Sequence, residues 1–183
     1  MLTHKGTKTL KTERLTLRRY TEADAQDMFN NWANDAAVTK FLTWQPHESA
    51  EATRELLHGW VQKYENPDYY HWTIEYEGKP IGGISVANIR EKSECAEIGY
   101  CIARSCWNKG IITEALKAVC DFLFDEIGFN RLEIRHAPEN PASGRAAKKC
   151  GFIQEGTARQ CMRTSTGELC DLVMLGCLKS DRR

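Results

Sequence analysis

Residues 104–115 read RSCWNKGIITEA and lie between a strand-like stretch and a helix-like one. Gly110 removes a side chain at the mouth of that helix. The backbone N–H groups from about Asn108 to Thr113 then have no partner inside the helix and point outward. Together with the positive end of the helix dipole they make an anion site suited to a pyrophosphate. Lys109 can add charge at the rim. An ordinary strand–helix loop that happens to contain a glycine fits the same spacing, so the motif alone does not decide. A P-loop is excluded, because no G-K-[ST] follows a glycine-rich run. A dinucleotide fingerprint is excluded too, since no G-x-G-x-x-G occurs here.

The elements that must hold this loop follow from hydrophobic period. Arg14 to Arg18 alternates as a strand. Thr21 can cap a helix running to about Trp32, with Asp24 at the capping-box position. A longer helix begins at Ser49 and puts Ala52, Leu56, Leu57, Trp60, Val61 and Tyr64 on one face. Asn66-Pro67-Asp68 ends it. His71–Tyr76, Ile81–Ile89 and Glu94–Ile102 read as three strands of a meander. Thr113–Ile127 is an amphipathic helix and Arg131–His136 a strand. Pro141–Cys150 is a helix with proline first and Gly151 just past its end. Residues 152–163 and 168–178 close as a strand pair around Ser165-Thr166-Gly167.

This order predicts an α/β (α+β) fold: a mixed, mostly antiparallel central sheet of about seven strands with helices on both faces. One domain over residues 1–183 is expected at this length. Residues 1–12 are polar and read as a loose tail.

Trp107–Ala115 resembles the acetyl-CoA pyrophosphate loop of the GCN5-related N-acetyltransferases (GNAT family). It is similar to the W-x-x-G-x-x-x-E-A form of the RimJ/RimL-type branch, which contains ribosomal-protein N-terminal acetyltransferases. Thr12–Arg18 (TERLTLR) resembles that branch's opening strand, and Ala96–Tyr100 (AEIGY) its fourth strand. Asn140–Ser143 (NPAS), leading to Cys150-Gly151-Phe152, resembles its N-x-x-S helix and G-F end. Gly167 and Asp171 also fit. The resemblance spans roughly residues 12–178. Three positions depart from the family pattern. Trp107 stands for Gln or Arg, Ile112 for Gly or Ala, and Ala147 where many members have a tyrosine. Ile112 must then offer its N–H while its side chain turns aside.

The resemblance implies direct attack of an amine on the thioester of acetyl-CoA. It places Tyr100, Cys101, Ile102, Trp107, Asn108, Lys109, Gly110, Ile111, Ile112, Thr113, Asn140 and Ser143 around the cofactor. The strand's N–H groups near Tyr100 to Ile102 would serve the thioester carbonyl and the pantetheine arm. Glu97 is the candidate base, directly or through water; a merely solvated or ion-paired carboxylate is the alternative. Ser143 is the candidate acid for the leaving thiolate; a first-turn serine bonded to its own backbone is the alternative. Asn140 is also a good helix N-cap. Trp44, His47, Tyr69, Tyr70 and His71 are candidates to line the acceptor site, though each residue type more often packs than binds. No Ser-His-Asp order or Cys-His pair points to a covalent route.

Composition bounds the rest. Lys+Arg and Asp+Glu both number 25, so no basic excess is available for a broad grip on nucleic acid. Eight cysteines occur without a C-x-x-C pair, which argues against the usual zinc spacing and reads as reduced, mostly buried apolar filler. No metal, nucleic acid or membrane partner is expected. There is no secretory h-region and no apolar run of about 18 residues, so a cytoplasmic enzyme is expected. Oligomeric state is not legible; a homodimer is the common default. The expected reaction is N-acetylation of a protein N-terminal amine, with acetylation of a small amine (polyamine, amino acid or aminoglycoside) or a silent acyl-CoA-binding module as alternatives.

Overall fold

A computed structural model describes residues 1–182. Its eight strands are β1 (Leu10–Lys11), β2 (Leu15–Arg18), β3 (His71–Tyr76), β4 (Lys79–Arg90), β5 (Cys95–Ile102), β6 (Arg131–His136), β7 (Ile153–Arg163) and β8 (Leu169–Leu178). Its helices are α1 (Ala25–Met28), α2 (Ala36–Thr39), α3 (Ala50–Lys63), α4 (Ile111–Asp121) and α5 (Pro141–Lys149). A π-helical turn, Phe122–Ile127, extends α4 to Gly128. The strands form one sheet in the order β1-β2-β3-β4-β5-β6-β8-β7. Every neighbouring pair is antiparallel except β5–β6. The additional strand beyond the expected seven is the two-residue β1.

Alternation along β3 shows that helices cover both faces. The His71 ring lies 4.2 Å from Trp60 of α3, whereas its neighbour Trp72 lies 5.9 Å from Phe122 beyond α4. Adjacent strand residues point to opposite faces, so α3 and the end of α4 lie on opposite sides of the sheet.

The parallel pair is short. β5 and β6 are in register only from Cys95↔Arg131 to Glu97↔Glu133. Past Glu97, β5 pairs with β4 alone, and β6 pairs with β8. The sheet therefore splits between Gly99–Ile102 and the end of β6, leaving one backbone edge of β5 open. A register shift between Val86 and Asn88 of β4 lies opposite Ile98 and Glu97, where the parallel pairing ends. Bulges of this kind re-aim side chains.

Two expectations need correction. Residues 1–12 are not a loose tail. The Thr3 N–H bonds Ile127 O at 2.9 Å, the Gly6 N–H bonds Pro67 O at 2.7 Å, and the Trp72 indole bonds Lys8 O at 2.6 Å. Thr7 is buried and its hydroxyl donates to Tyr69 O. On α3, Ala52 and Leu56 are exposed, and the buried line runs through Thr53, Leu57 and Tyr64. Thr53 is buried with its hydroxyl satisfied locally, donating to Ser49 O.

Candidate functional site

The loop before α4 is shaped by two left-handed residues, Asn108 (φ 60°) and Gly110 (φ 75°). Gly110 pays no side-chain penalty there. The first turn of α4 closes with Glu114 N–H donating to Gly110 O at 3.1 Å. The N–H groups of Ile111, Ile112 and Thr113 precede that bond, and these residues line a cavity of about 520 Å³. Trp107 is 42% exposed, and its indole N–H donates to Ile102 O at 3.0 Å, fastening the loop to the end of β5. From the other side Glu114 accepts from Thr12 Oγ1 (2.5 Å), Arg14 N–H (3.0 Å) and Arg14 Nε (2.7 Å).

This cavity runs from the α4 N-terminus along Tyr100, Cys101 and Ile102 to Asn140 and Ser143 in the first turn of α5. An anion site at one end, an open strand edge and a polar helix start fit an elongated ligand with an anionic group. Lys109 stands apart from the others. It does not line the cavity, and its carbonyl is held by Arg14 Nη1 at 3.2 Å. Arg145 and Lys149 of α5 line it instead. Sequence reasoning missed them, although their i, i+4 spacing puts both on one helix face.

Asn140 caps α5: its Oδ1 accepts from Ser143 N–H at 3.4 Å. Ser143 Oγ donates to the Tyr100 hydroxyl at 3.0 Å, and that hydroxyl donates to Ser143 O at 3.0 Å. Burial pushes the Tyr100 phenol up to about 12, so it stays protonated.

A second cavity of about 390 Å³ shares Leu42, Tyr100 and Cys101 with the first. The two meet where the sheet splits. Burial pushes the Cys101 thiol up to about 11, which keeps it from acting as a nucleophile near neutral pH. Trp44 and His47 line this second cavity. Tyr70 does not. It is 1% exposed, faces Phe122, and its hydroxyl pairs with His4 Nδ1 at 2.8 Å. His71 lines the cavity in its place, one residue on and therefore on the opposite face. Tyr69 is a supporting residue whose hydroxyl meets His71 Nδ1 at 3.0 Å. Tyr20, Trp60, Ser85 and Gly99 complete the wall and were missed, since they come from four separate segments. Gly83 is required by the close approach of Tyr20: an added Cβ would lie 2.3 Å from the phenolic oxygen.

Glu97 shares a face of β5 with Gly99 and Cys101 but lines neither cavity. Its Oε2 lies 3.1 Å from Arg135 Nη2. No helix among the described residues is long and apolar enough to cross a membrane.

A family model described as an acetyltransferase (GNAT) domain matches residues 14–153. The chain belongs to the GNAT acetyltransferase family. Among similar proteins of this family is the uncharacterized N-acetyltransferase YoaA of Bacillus subtilis, 32% identical over 84% of this chain and 87% of its own. A ribosomal-protein-serine acetyltransferase of Escherichia coli is 32% identical over 69% of this chain and 72% of its own. The solved structure of RimL, a ribosomal L7/L12 alpha-N-protein acetyltransferase in complex with coenzyme A, superposes with a TM-score of 0.84 at 22% identity, covering 93% and 98% of the two chains. This GNAT enzyme is thus an acetyl-CoA-dependent N-acyltransferase. The likeness to the RimL structure is one of fold.

Proposed function

We propose that the chain transfers the acetyl group of acetyl-CoA to the N-terminal α-amine of a protein or peptide. The observation that carries this is the junction of two cavities at Leu42, Tyr100 and Cys101, one holding an anion site and a strand edge, the other without charged walls. An α-amine, with a reference pKa near 7.7–8.0, is substantially neutral at working pH, unlike a lysine near 10.4. It therefore becomes neutral without a strong base, and the base it needs is one that takes the proton shed as the nitrogen attacks. The similarity to a ribosomal-protein-serine acetyltransferase supports a protein acceptor.

In this reading the N–H groups of Ile111 to Thr113 bind the pyrophosphate. Backbone N–H groups of β5 along its open edge orient the thioester carbonyl and stabilise the developing oxyanion. The amine attacks from the second cavity. Glu97 takes the proton through water, since it lies one pleat beyond Gly99, roughly 7 Å along the strand. Ser143 gives a proton to the departing thiolate and regains one from solvent. As its Oγ–H turns away, the Tyr100 hydroxyl can turn to donate to Ser143 Oγ in its place.

Thermal unfolding with and without acetyl-CoA tests the cofactor. A ligand at about 100 times its Kd adds about 2.7 kcal/mol, a shift of roughly 5–11 °C for a domain this size. The expected result is such a shift with acetyl-CoA and little with ATP. Release of coenzyme A thiol in the presence of peptides with free N-termini, absent when those termini are blocked, tests the acceptor. Transfer to lysine side chains or spermidine alone would overturn the α-amine assignment.

A further inference from the structure

The second cavity has a chemical character that narrows the acceptor beyond its amine. This step rests on the N-acetyltransferase reading above. Two aromatic groups form its walls. On one side Trp44 packs against His47 with ring centres 5.2 Å apart. On the other Trp60 packs against His71 at 4.2 Å and against Tyr20 at 5.2 Å. No Asp, Glu, Lys or Arg lines the cavity.

The two histidines do not restore charge. Burial pushes the His71 imidazole down to about 3 and lowers that of His47 as well, so both are neutral near pH 7. Each has its Nδ1 engaged, His71 with the Tyr69 hydroxyl at 3.0 Å and His47 with Thr53 Oγ1 at 2.8 Å. The Nε2 atoms make no bond to a described residue, which leaves each imidazole a polar edge for a neutral ligand group.

A cation or carboxylate entering this cavity would lose its hydration and meet no counter-ion. Aromatic faces offset part of that for a single cation. They do not do so for the second and third ammonium groups of a polyamine or an aminoglycoside. A flat apolar group loses little hydration and gains stacking contacts on tryptophan and imidazole.

We propose that the acceptor presents an uncharged aromatic side chain beside its α-amine, and that Trp44, Trp60 and His71 select it. The cavity's continuity with the cofactor cavity through Tyr100 and Cys101 identifies this occupant as the acyl acceptor, because the amine must reach the junction while the neighbouring side chain fills the space behind it.

The test is a comparison of kcat/KM for peptides that differ only in their first residue: Phe, Tyr or Trp; Ala or Ser; Lys or Glu; with spermidine alongside. Coenzyme A release is the readout. The expected result is at least a tenfold preference for the aromatic group over Ala and Ser, and a larger one over charged first residues and spermidine. Trp60→Ala should bring the aromatic-to-Ala ratio close to one while the Kd for acetyl-CoA, measured by calorimetry, holds. Trp44→Ala, in a half-buried loop, repeats the test should Trp60→Ala fail to fold. Equal use of Ala and Phe, a preference for charged acceptors, or a ratio unchanged in both variants would overturn the proposal. So would no transfer to any peptide by protein that binds acetyl-CoA. Failure to bind acetyl-CoA at all would instead overturn the underlying N-acetyltransferase reading.

Discussion

Arg14 and Glu114, one hundred residues apart in the chain, form an ion pair at 2.7 Å that locks the opening strand to the first turn of α4. The same arginine holds the carbonyl of Lys109, so the loop before α4 is clasped from outside its own cavity. Glu114 also gathers the Thr12 hydroxyl and the Arg14 N–H, which places two matched stretches of sequence in direct contact. The pair is partly exposed, and exposed pairs contribute little to stability. Its effect belongs to the loop. Glu114→Ala is expected to weaken acetyl-CoA binding severalfold with a small change in Tm, and Glu114→Gln, which keeps the hydrogen-bond acceptor, to recover part of it. Calorimetric titration alongside thermal unfolding separates the two effects. Unchanged affinity in the alanine variant would show that the clasp does not shape the loop.

Gly110 offers a sharper probe of the same loop. Its φ of 75° suits glycine, and an L side chain there costs about 1–2 kcal/mol. Arg14 Nη2 stands 3.7 Å from the site of a new Cβ, so a methyl group fits but a branched side chain crowds the clasp. Gly110→Val is expected to raise the Kd for acetyl-CoA tenfold or more and lower Tm by several degrees. Acetyl-CoA binding at wild-type strength in a folded variant would place the anion site elsewhere.

Much of the larger cavity's wall was legible because it is local. The glycine, the helix start, the Asn140 cap and the alternation of β5 lie within short windows, and the matched motifs supply their order. The second cavity was not, because its walls come from the segment before α1, α1 and the turn after it, the loop after α2, α3, β3, β4 and β5. Tyr70 shows the limit. The sequence offers Tyr69, Tyr70 and His71 alike and does not say which face of β3 looks toward the second cavity. Only the packing of Trp72 on Phe122 and of His71 on Trp60 fixes it. The N-terminal residues were misread for a similar reason: polar composition hides tertiary bonds such as that from the Trp72 indole to Lys8 O.

Glu97 tests the base. Glu97→Gln keeps its shape and its place beside Arg135 but removes the negative charge. The expected outcome is a fall in kcat on the order of 10²-fold with the Kd for acetyl-CoA nearly unchanged. Steady-state rates at pH 6–9 are the measurement. Wild-type turnover across that range would remove Glu97 from the reaction and leave it as an ion-pair residue.

The Tyr100–Ser143 pair ties β5 to α5 across the mouth of the split sheet. Tyr100→Phe removes both hydrogen bonds. At about 0.5–1.5 kcal/mol each, the expected loss is about 1–3 kcal/mol. Ser143→Ala removes one and should cost about half as much. If Ser143 donates the thiolate proton, Ser143→Ala lowers kcat, and the defect shrinks when the acyl donor is a thioester whose thiol is more acidic. A defect that is independent of the leaving thiol would make Ser143 a positioning residue only.

His71 predicts a pH dependence of stability. In the unfolded chain its imidazole titrates near 6.5, and in the fold burial holds it near 3. Between these values the unfolded state binds the proton that the folded state refuses. Stability therefore rises with pH through this window and falls on acidification, by at most about 1.4 kcal/mol per pH unit from this group. His47, lowered in the same direction, adds to the slope. Asp24 and Glu133 also favour the folded state at higher pH, but their carboxyls titrate below their ordinary values near 4, so they act at the acid end. Chemical denaturation at pH 4.5–7 isolates the histidines. His71→Gln, which stays neutral throughout, should flatten the curve between pH 5 and 6.5 relative to wild type. An identical slope in the variant would mean that His71 is protonated inside the fold, and the cavity it lines would then carry a positive charge.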